Sequence, residues 1–172
     1  EFRRVLFRSP VYNTYVDAVI EHLGGKSFRD TAEEELIKRF LQTVRPSCWS
    51  KVKPELKKDK IIFPDIVTWD SIHYQYYKEY DFEYDSDRKV SQFCEGIAFG
   101  ADDVLCGSIE MIMGLDTRNV DISRWYDLTT TNALNMKFYA NGRIDVKFKD
   151  SATAESCFKR LRLNEIKLRD EN

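Results

Sequence analysis

Apolar residues recur at helical spacing in two stretches near the start of the chain. Residues 12–23 carry apolar side chains three and four positions apart, and this stripe ends at Gly24-Gly25, where a helix can stop. A second helix is expected to begin at Thr31, where Thr31 and Glu34 would form a capping box, and to end before Pro46. Its expected buried face comprises Leu36, Ile37, Phe40, Leu41 and Val44.

The middle of the chain consists of short apolar runs between loops. Residues 45–60 are basic and contain two prolines, which predicts an irregular segment, whereas residues 61–63 and 66–67 predict short buried strands. From residue 76 to residue 85 apolar and acidic side chains alternate, which is the period of a half-buried strand. Apolar spacing predicts two further helices, over residues 90–97 and 105–113.

The pair Asn141-Gly142 lies between two alternating runs and predicts a β-hairpin. A two-residue loop would mix apolar and polar side chains on each face. A three-residue loop with Gly142 in a bulge makes one face wholly apolar, by pairing Phe138 with Ile144, Met136 with Val146, and Leu134 with Phe148. Asp150-Ser151 then caps a helix whose apolar stripe comprises Ala154, Cys157, Phe158 and Leu161.

These elements predict an α+β fold, with several amphipathic helices and a small antiparallel sheet that includes the C-terminal hairpin followed by a helix. A chain of 172 residues with 42% hydrophobic residues fits one folded domain. Residues 1–9 resemble translated vector or adapter sequence, so we expect residues 10–172 to form a single domain, with truncation at the native N-terminus left open. No apolar run approaches the roughly 20 residues of a membrane-spanning helix.

The cysteines are widely spaced and lack the pairing of a zinc site or a disulfide framework. We therefore expect buried thiols in a reducing, cytoplasmic compartment and neither a metal nor another cofactor. The four residues are Cys48, Cys94, Cys106 and Cys157.

Charge is divided unevenly along the chain. Residues 135–169 hold nine basic and four acidic residues, whereas residues 65–127 hold five basic and fourteen acidic ones. A solvated surface accounts for this division; alternatively, the hairpin and the last helix meet an anion such as a nucleic-acid backbone. The candidate nucleic-acid-binding residues on that second interpretation are Lys137, Arg143, Lys147, Lys149, Lys159 and Arg160.

The tyrosines of the acidic middle admit two interpretations. Stacking against bases is one, but the neighbouring side chains are carboxylates, which favours the core face of a strand. A protein–protein interaction domain that uses this acidic, tyrosine-rich segment is the alternative function. The tyrosines are Tyr74, Tyr76, Tyr77, Tyr80 and Tyr84.

Catalytic patterns are scarce. Asp65 followed far downstream by Asp145-Val146-Lys147 partly fits a Mg²⁺-dependent nuclease, which is the second alternative. His73 lies in an aromatic stretch that favours a hydrogen-bonded structural histidine over a base. No nucleophile elbow, P-loop or dinucleotide fingerprint is present. The sequence assigns no catalytic residue and favours a non-catalytic domain.

The segment from Lys137 to Lys149, followed by a helix that closes on Leu163-Asn164, resembles the C-terminal signature of a bacterial and phage family designated domain of unknown function 4942. The resemblance covers about the last 30 residues, and Arg143 and Asp145 stand where the family has Asn and His. It implies an accessory domain of phage or mobile-element origin, found beside adenine-specific DNA methyltransferases. A nucleic-acid backbone or a DNA-modification protein is the implied partner.

Overall fold

The computed structural model describes residue 16 and residues 18–21, 24–45 and 52–167. By its internal contacts the chain divides into two units, Glu1–Glu35 and Leu36–Asn172. The predictions of a foreign leader over residues 1–9 and of a buried Cys48 fall outside the described residues, whereas the predicted helix end before Pro46 is confirmed, since the helix ends at Val44.

In the first unit, residues 16 and 18–21 are helical, and a turn at Gly24-Gly25 follows as predicted. Helix α1 spans Phe28–Val44 and crosses into the second unit. The predicted start at Thr31 was wrong because the capping pair lies one turn earlier. The Ser27 N–H donates to Asp30 Oδ2 at 3.0 Å, and the Asp30 N–H donates to Ser27 Oγ at 3.1 Å. The Ser27 hydroxyl also donates to Asp30 Oδ2 at 2.7 Å, and this bond, together with the one from the Ser27 N–H, lowers the pKa of Asp30.

Five antiparallel strands of the second unit form one sheet, in the order β1-β2-β5-β4-β3. The strands span Glu55–Lys57 (β1), Lys60–Phe63 (β2), Tyr126–Asp127 (β3), Ala133–Phe138 (β4) and Ile144–Phe148 (β5). The buried strand at residues 61–63 is thus confirmed, and part of the segment predicted to be irregular is β1. Ile66 and Val67 are buried but form no strand, since both backbone N–H groups donate to the Gly142 carbonyl.

The β4–β5 hairpin has the predicted three-residue loop. Phe138 pairs with Ile144 and Met136 with Val146, and Gly142 has a φ of 77°. The pairing of Leu134 with Phe148 was wrong, because the register shifts between Ala133 and Asn135. Ala133 takes the position opposite Phe148, and Leu134 becomes the extra residue of a bulge, with its side chain exposed.

Two helices that follow the predicted pattern cover the inner face of this sheet. Helix α3 (Ser86–Asp102) contacts β4, and helix α4 (Ser151–Arg160) contacts β1, β2 and β5. The side chain of Asp150 caps α4 by accepting from the Thr153 N–H at 2.7 Å, as predicted. Among the described residues, no helix is long and apolar enough to cross a bilayer. The helices and the five-stranded antiparallel sheet together confirm the predicted α+β fold.

The tyrosine-rich segment differs from its prediction. Residues Ser71–Tyr77 form helix α2, which Asp70 caps and Lys78 ends in a left-handed conformation. Residues 78–85 are loop and turn, with one isolated bridge between Phe82 and Trp69. Alternation failed as a signal here because Phe82 is buried, whereas Tyr84 of the same parity is exposed. The helix predicted over residues 105–113 is reduced to a single 3-10 turn, Ile109–Met111.

Candidate nucleic-acid interface

Alternation along the strands gives the sheet a second, outer face that is rich in charge. The inner positions, such as Ile61, Met136 and Val146, are fully buried in the core, so their neighbours along each strand point the other way. We call the resulting set the outer sheet face: Glu55, Lys57, Lys60, Ile62, Asp127, Asn135, Lys137, Tyr139, Arg143, Asp145 and Lys147.

Three lysines of the outer sheet face lie side by side on three neighbouring strands. Lys57 pairs with Lys60 across β1 and β2, and Lys60 pairs with Lys147 across β2 and β5. Side chains at directly opposed positions have Cβ atoms about 5 Å apart, and like charges there repel. We call these three residues the lysine row. Its two outer members remain half-exposed to solvent.

Each member of the lysine row has a carboxylate near it. Lys57 Nζ lies 3.1 Å from Glu55 and Lys147 Nζ lies 3.8 Å from Asp59, both at the surface. Exposed ion pairs of this kind contribute little and are screened by salt. The outer lysines are therefore held loosely and can exchange these partners for another anion.

Asp145 lies beneath this surface with a side-chain exposure of 0%, although it points away from the core. Lys60 Nζ donates to Asp145 Oδ2 at 3.0 Å, and the Tyr139 hydroxyl lies 3.2 Å from the same oxygen. Arg143 donates from Nη2 to Asp145 Oδ2 at 3.3 Å, and its Nε lies 2.8 Å from Asp145 Oδ1 without the alignment of a hydrogen bond. The single carboxylate thus pairs with two cations and fixes their position on the face.

Tyr139 joins the cations of the hairpin through its ring. The Arg143 guanidinium carbon lies 3.9 Å from the ring centroid, and Lys137 Nζ lies 5.5 Å from it. Lys137 also donates to the Ser123 carbonyl at 3.1 Å. Burial opposes the charged form of Arg143, but the Tyr139 hydroxyl and the charge of Asp145 outweigh it and raise the pKa of the guanidinium.

The six candidate residues do not share one surface. Lys137, Arg143 and Lys147 belong to the outer sheet face, and Lys149 is exposed directly after β5. Lys159 and Arg160 lie on α4, which packs against the inner face of the sheet through Ala154, Cys157 and Leu161. Lys159 and Arg160 therefore lie on the helix side of the sheet, which is opposite to the outer sheet face.

Local partners hold these two helix residues. Lys159 Nζ lies 2.6 Å from Glu155, and Arg160 donates to the Phe99 carbonyl at 3.3 Å while facing Asp103 at 3.4 Å. These contacts hold the two side chains against α4 and the end of α3. A ligand bound to the outer sheet face therefore does not contact them.

Lys57 and Lys60 are the members of the site that the sequence prediction missed. Both fall in the segment predicted to be an irregular basic loop, and Lys60 meets Asp145 across 85 positions of sequence. The signal that could have found them was the parity of residues 60–63, in which Ile61 and Phe63 alternate with Lys60 and Ile62.

The surroundings of Asp145 bear on the nuclease hypothesis. A Mg²⁺ ion needs carboxylate oxygens that are free to coordinate it, whereas Asp145 Oδ2 accepts from Lys60, Arg143 and Tyr139, and Oδ1 lies 2.8 Å from the Arg143 guanidinium. Within the described residues, no group of three or more His, Cys, Asp or Glu side chains is arranged to hold a metal ion.

Two further sequence candidates are also located by the structure. His73 stacks on Tyr77 with ring centroids 4.7 Å apart, and its Nδ1 atom is buried without a hydrogen-bond partner. Cys94 and Cys157 are buried as predicted, but Cys106 is exposed, because residues 103–108 are not the helix that was expected to bury it.

Comparisons of the chain with protein-family models, with curated proteins and with solved structures gave no match.

Proposed function

We propose that this chain is a non-catalytic accessory domain of phage or mobile-element origin that acts near DNA in the cytoplasm and contacts the nucleic-acid backbone with its outer sheet face. The observation that carries the proposal is the lysine row. Its three cations occupy adjoining positions, and the two outer ones are held only by exposed ion pairs that a polyanion bound across the row can replace.

The geometry favours recognition of phosphate over recognition of bases. The lysines project from a rigid sheet rather than from an element shaped to enter a groove, and Asp145 restrains Lys60 and Arg143 from below. Backbone contacts of this kind fix position but carry no sequence information. We therefore expect binding with little sequence preference.

The biological setting rests on other observations. For the phage or mobile-element origin, the proposal rests on the resemblance of residues 137–164 to the C-terminal signature of domain of unknown function 4942. The cytoplasmic location is supported by the free thiols of Cys94, Cys106 and Cys157, which suit a reducing compartment.

The test is binding of duplex and single-stranded DNA of unrelated sequences across a salt series. The variant carries Lys57→Gln and Lys147→Gln, the two exposed ends of the lysine row, and keeps Lys60 on Asp145. We expect affinity to fall similarly for every sequence. The plot of log affinity against log salt should become shallower by about one unit for each lysine–phosphate interaction that the substitutions remove.

The matched control carries Lys38→Gln and Lys89→Gln, which removes the same charge from exposed positions on α1 and α3. It should bind as the wild type does. Absence of wild-type binding at low salt, or equal losses of affinity in the two double variants, would contradict the proposal. A single Lys159→Gln variant shows separately whether α4 contributes.

A further inference from the structure

Helix α2 is unusual in that none of its residues is buried, although it carries large apolar and aromatic side chains. Ile72 and Tyr77 are each 67% exposed and Tyr76 is 75% exposed, while Tyr84 in the following turn reaches 95%. Scattered exposed aromatics need no explanation, but a cluster on one short segment is characteristic of an interaction site. We call Ile72, Tyr76, Tyr77, Glu79, Glu83 and Tyr84 the acidic tyrosine surface.

The framework under this surface is well fixed. Trp69 bridges to Phe82, the Asp70 N–H donates to the Asp81 carbonyl at 2.9 Å, and the Glu83 N–H donates to the Thr68 carbonyl at 3.0 Å. The Tyr80 ring lies against both Trp69 and Tyr74, with centroids 5.2 and 4.8 Å apart. The exposed tyrosines thus stand on an ordered base, which lowers the entropic cost of binding.

Charge identifies the kind of partner. Residues 70–87 hold six carboxylates and one basic residue, Lys78, so the surface repels a nucleic acid and attracts a cation. Exposed tyrosine rings favour the same partner, because a guanidinium or ammonium group binds over their faces. The chain itself shows this contact locally, with Lys78 Nζ 5.6 Å from the Tyr74 centroid.

We propose that the acidic tyrosine surface is a docking site for a short arginine- and lysine-rich segment of another protein. The arginine side chains lie over Tyr76, Tyr77 and Tyr84, and the carboxylates of Glu79 and Glu83 pair with their charges. Because α2 is about 10 Å long at 1.5 Å per residue, the docked segment is a few residues in length. This site is separate from the outer sheet face and does not depend on DNA binding.

The test is fluorescence anisotropy with a labelled oligoarginine peptide, and an oligoglutamate peptide serves as the negative probe. Combined Tyr76→Ala and Tyr77→Ala substitutions should weaken binding at least about fivefold, whereas Tyr76→Phe with Tyr77→Phe should retain it, since the rings persist. Both pairs should remain folded, because Tyr76 and Tyr77 are mostly exposed; the alanine pair loses only the contact between the Tyr77 and His73 rings, a small change in the unfolding midpoint. Glu79→Gln with Glu83→Gln should weaken binding and reduce its salt dependence.

The matched control is Glu110→Gln with Glu165→Gln, which removes two exposed carboxylates from other elements and should bind as the wild type does. The proposal is overturned if wild type does not bind oligoarginine, or if the alanine variant binds it unchanged, which would indicate nonspecific charge attraction. It is also overturned if the wild type self-associates and Lys57→Gln with Lys147→Gln abolishes this, because the occupant would then be a second copy of the chain.

Discussion

Replacement of Gly142 tests how the hairpin is joined to the rest of the second unit. A Cβ atom at this position would lie 2.2 Å from the Val67 carbonyl oxygen, far inside van der Waals contact. The φ of 77° adds strain for any L-residue with a side chain, roughly 1–2 kcal/mol. Relief of the clash requires the Gly142 carbonyl to move away from the Ile66 and Val67 N–H groups, which donate to it at 2.9 and 3.0 Å.

The magnitude follows from these two contributions. Each of the two hydrogen bonds contributes about 1 kcal/mol, so Gly142→Ala should lower the free energy of unfolding by about 3 kcal/mol. Gly114 is the matched control, since its φ is 67° and the nearest atom to a new Cβ, Arg124 Nη2, lies at 3.7 Å. Gly114→Ala should therefore cost only the backbone strain, about 1 kcal/mol.

Urea unfolding followed by tryptophan fluorescence is the assay. Trp69 reports on the hairpin, because its indole N–H donates to the Tyr139 carbonyl at 3.1 Å. Gly142→Asn separates the two causes: asparagine tolerates a positive φ but still carries a Cβ. A wild-type midpoint for Gly142→Asn, or equal losses of stability for the alanine variants at positions 142 and 114, would refute the steric argument.

Two further predictions concern buried groups. Asp145→Asn leaves two cations beside a neutral amide and should lower the free energy of unfolding by about 3 kcal/mol in a denaturant titration. The control Asp59→Asn, at the surface, should lower it by less than about 1 kcal/mol. Similar losses of stability in the two variants would contradict the assignment of Asp145 as the buried partner of Lys60 and Arg143. At pH 8 a thiol reagent should label Cys106 quickly in the folded protein but label Cys94 and Cys157 slowly. Burial raises the pKa of Cys94 and raises that of Cys157 to about 12, so that little reactive thiolate is present at either position. Equal labelling rates at all three cysteines of the folded protein, measured by mass spectrometry, would refute this.

The elements that could be predicted are those whose determinants lie close together in sequence. The hairpin needed only Asn141-Gly142 and the parity of its flanking residues, and α4 needed a capping residue and one apolar stripe. The bulge at Leu134 could not be predicted, because it lies where β4 pairs with β5 on one edge and with the β3 segment on the other. There the Leu128 N–H donates to the Leu134 carbonyl at 2.8 Å.

Segments whose stabilising partners lie far away in the sequence were missed, because the local sequence does not reveal those partners. Strand β1 has three residues and exists by pairing with β2, which in turn needs β5 from the other end of the chain. In the tyrosine-rich segment, alternation is compatible with both a strand and a short helix, and the cap at Asp70 decides between them. The lysine row, assembled from β1, β2 and β5, is therefore visible only in three dimensions.

The brevity of the outermost strands limits how the sheet can recruit another molecule. In the described part of the chain, the sheet ends on one side with the three residues of β1, which follow Pro54, and on the other with the two residues of β3. So few unpaired N–H and C=O groups offer a poor template for adding a strand from a partner, and edges of this kind protect against aggregation. The nucleic-acid contact proposed for this sheet therefore relies on side chains and not on backbone augmentation.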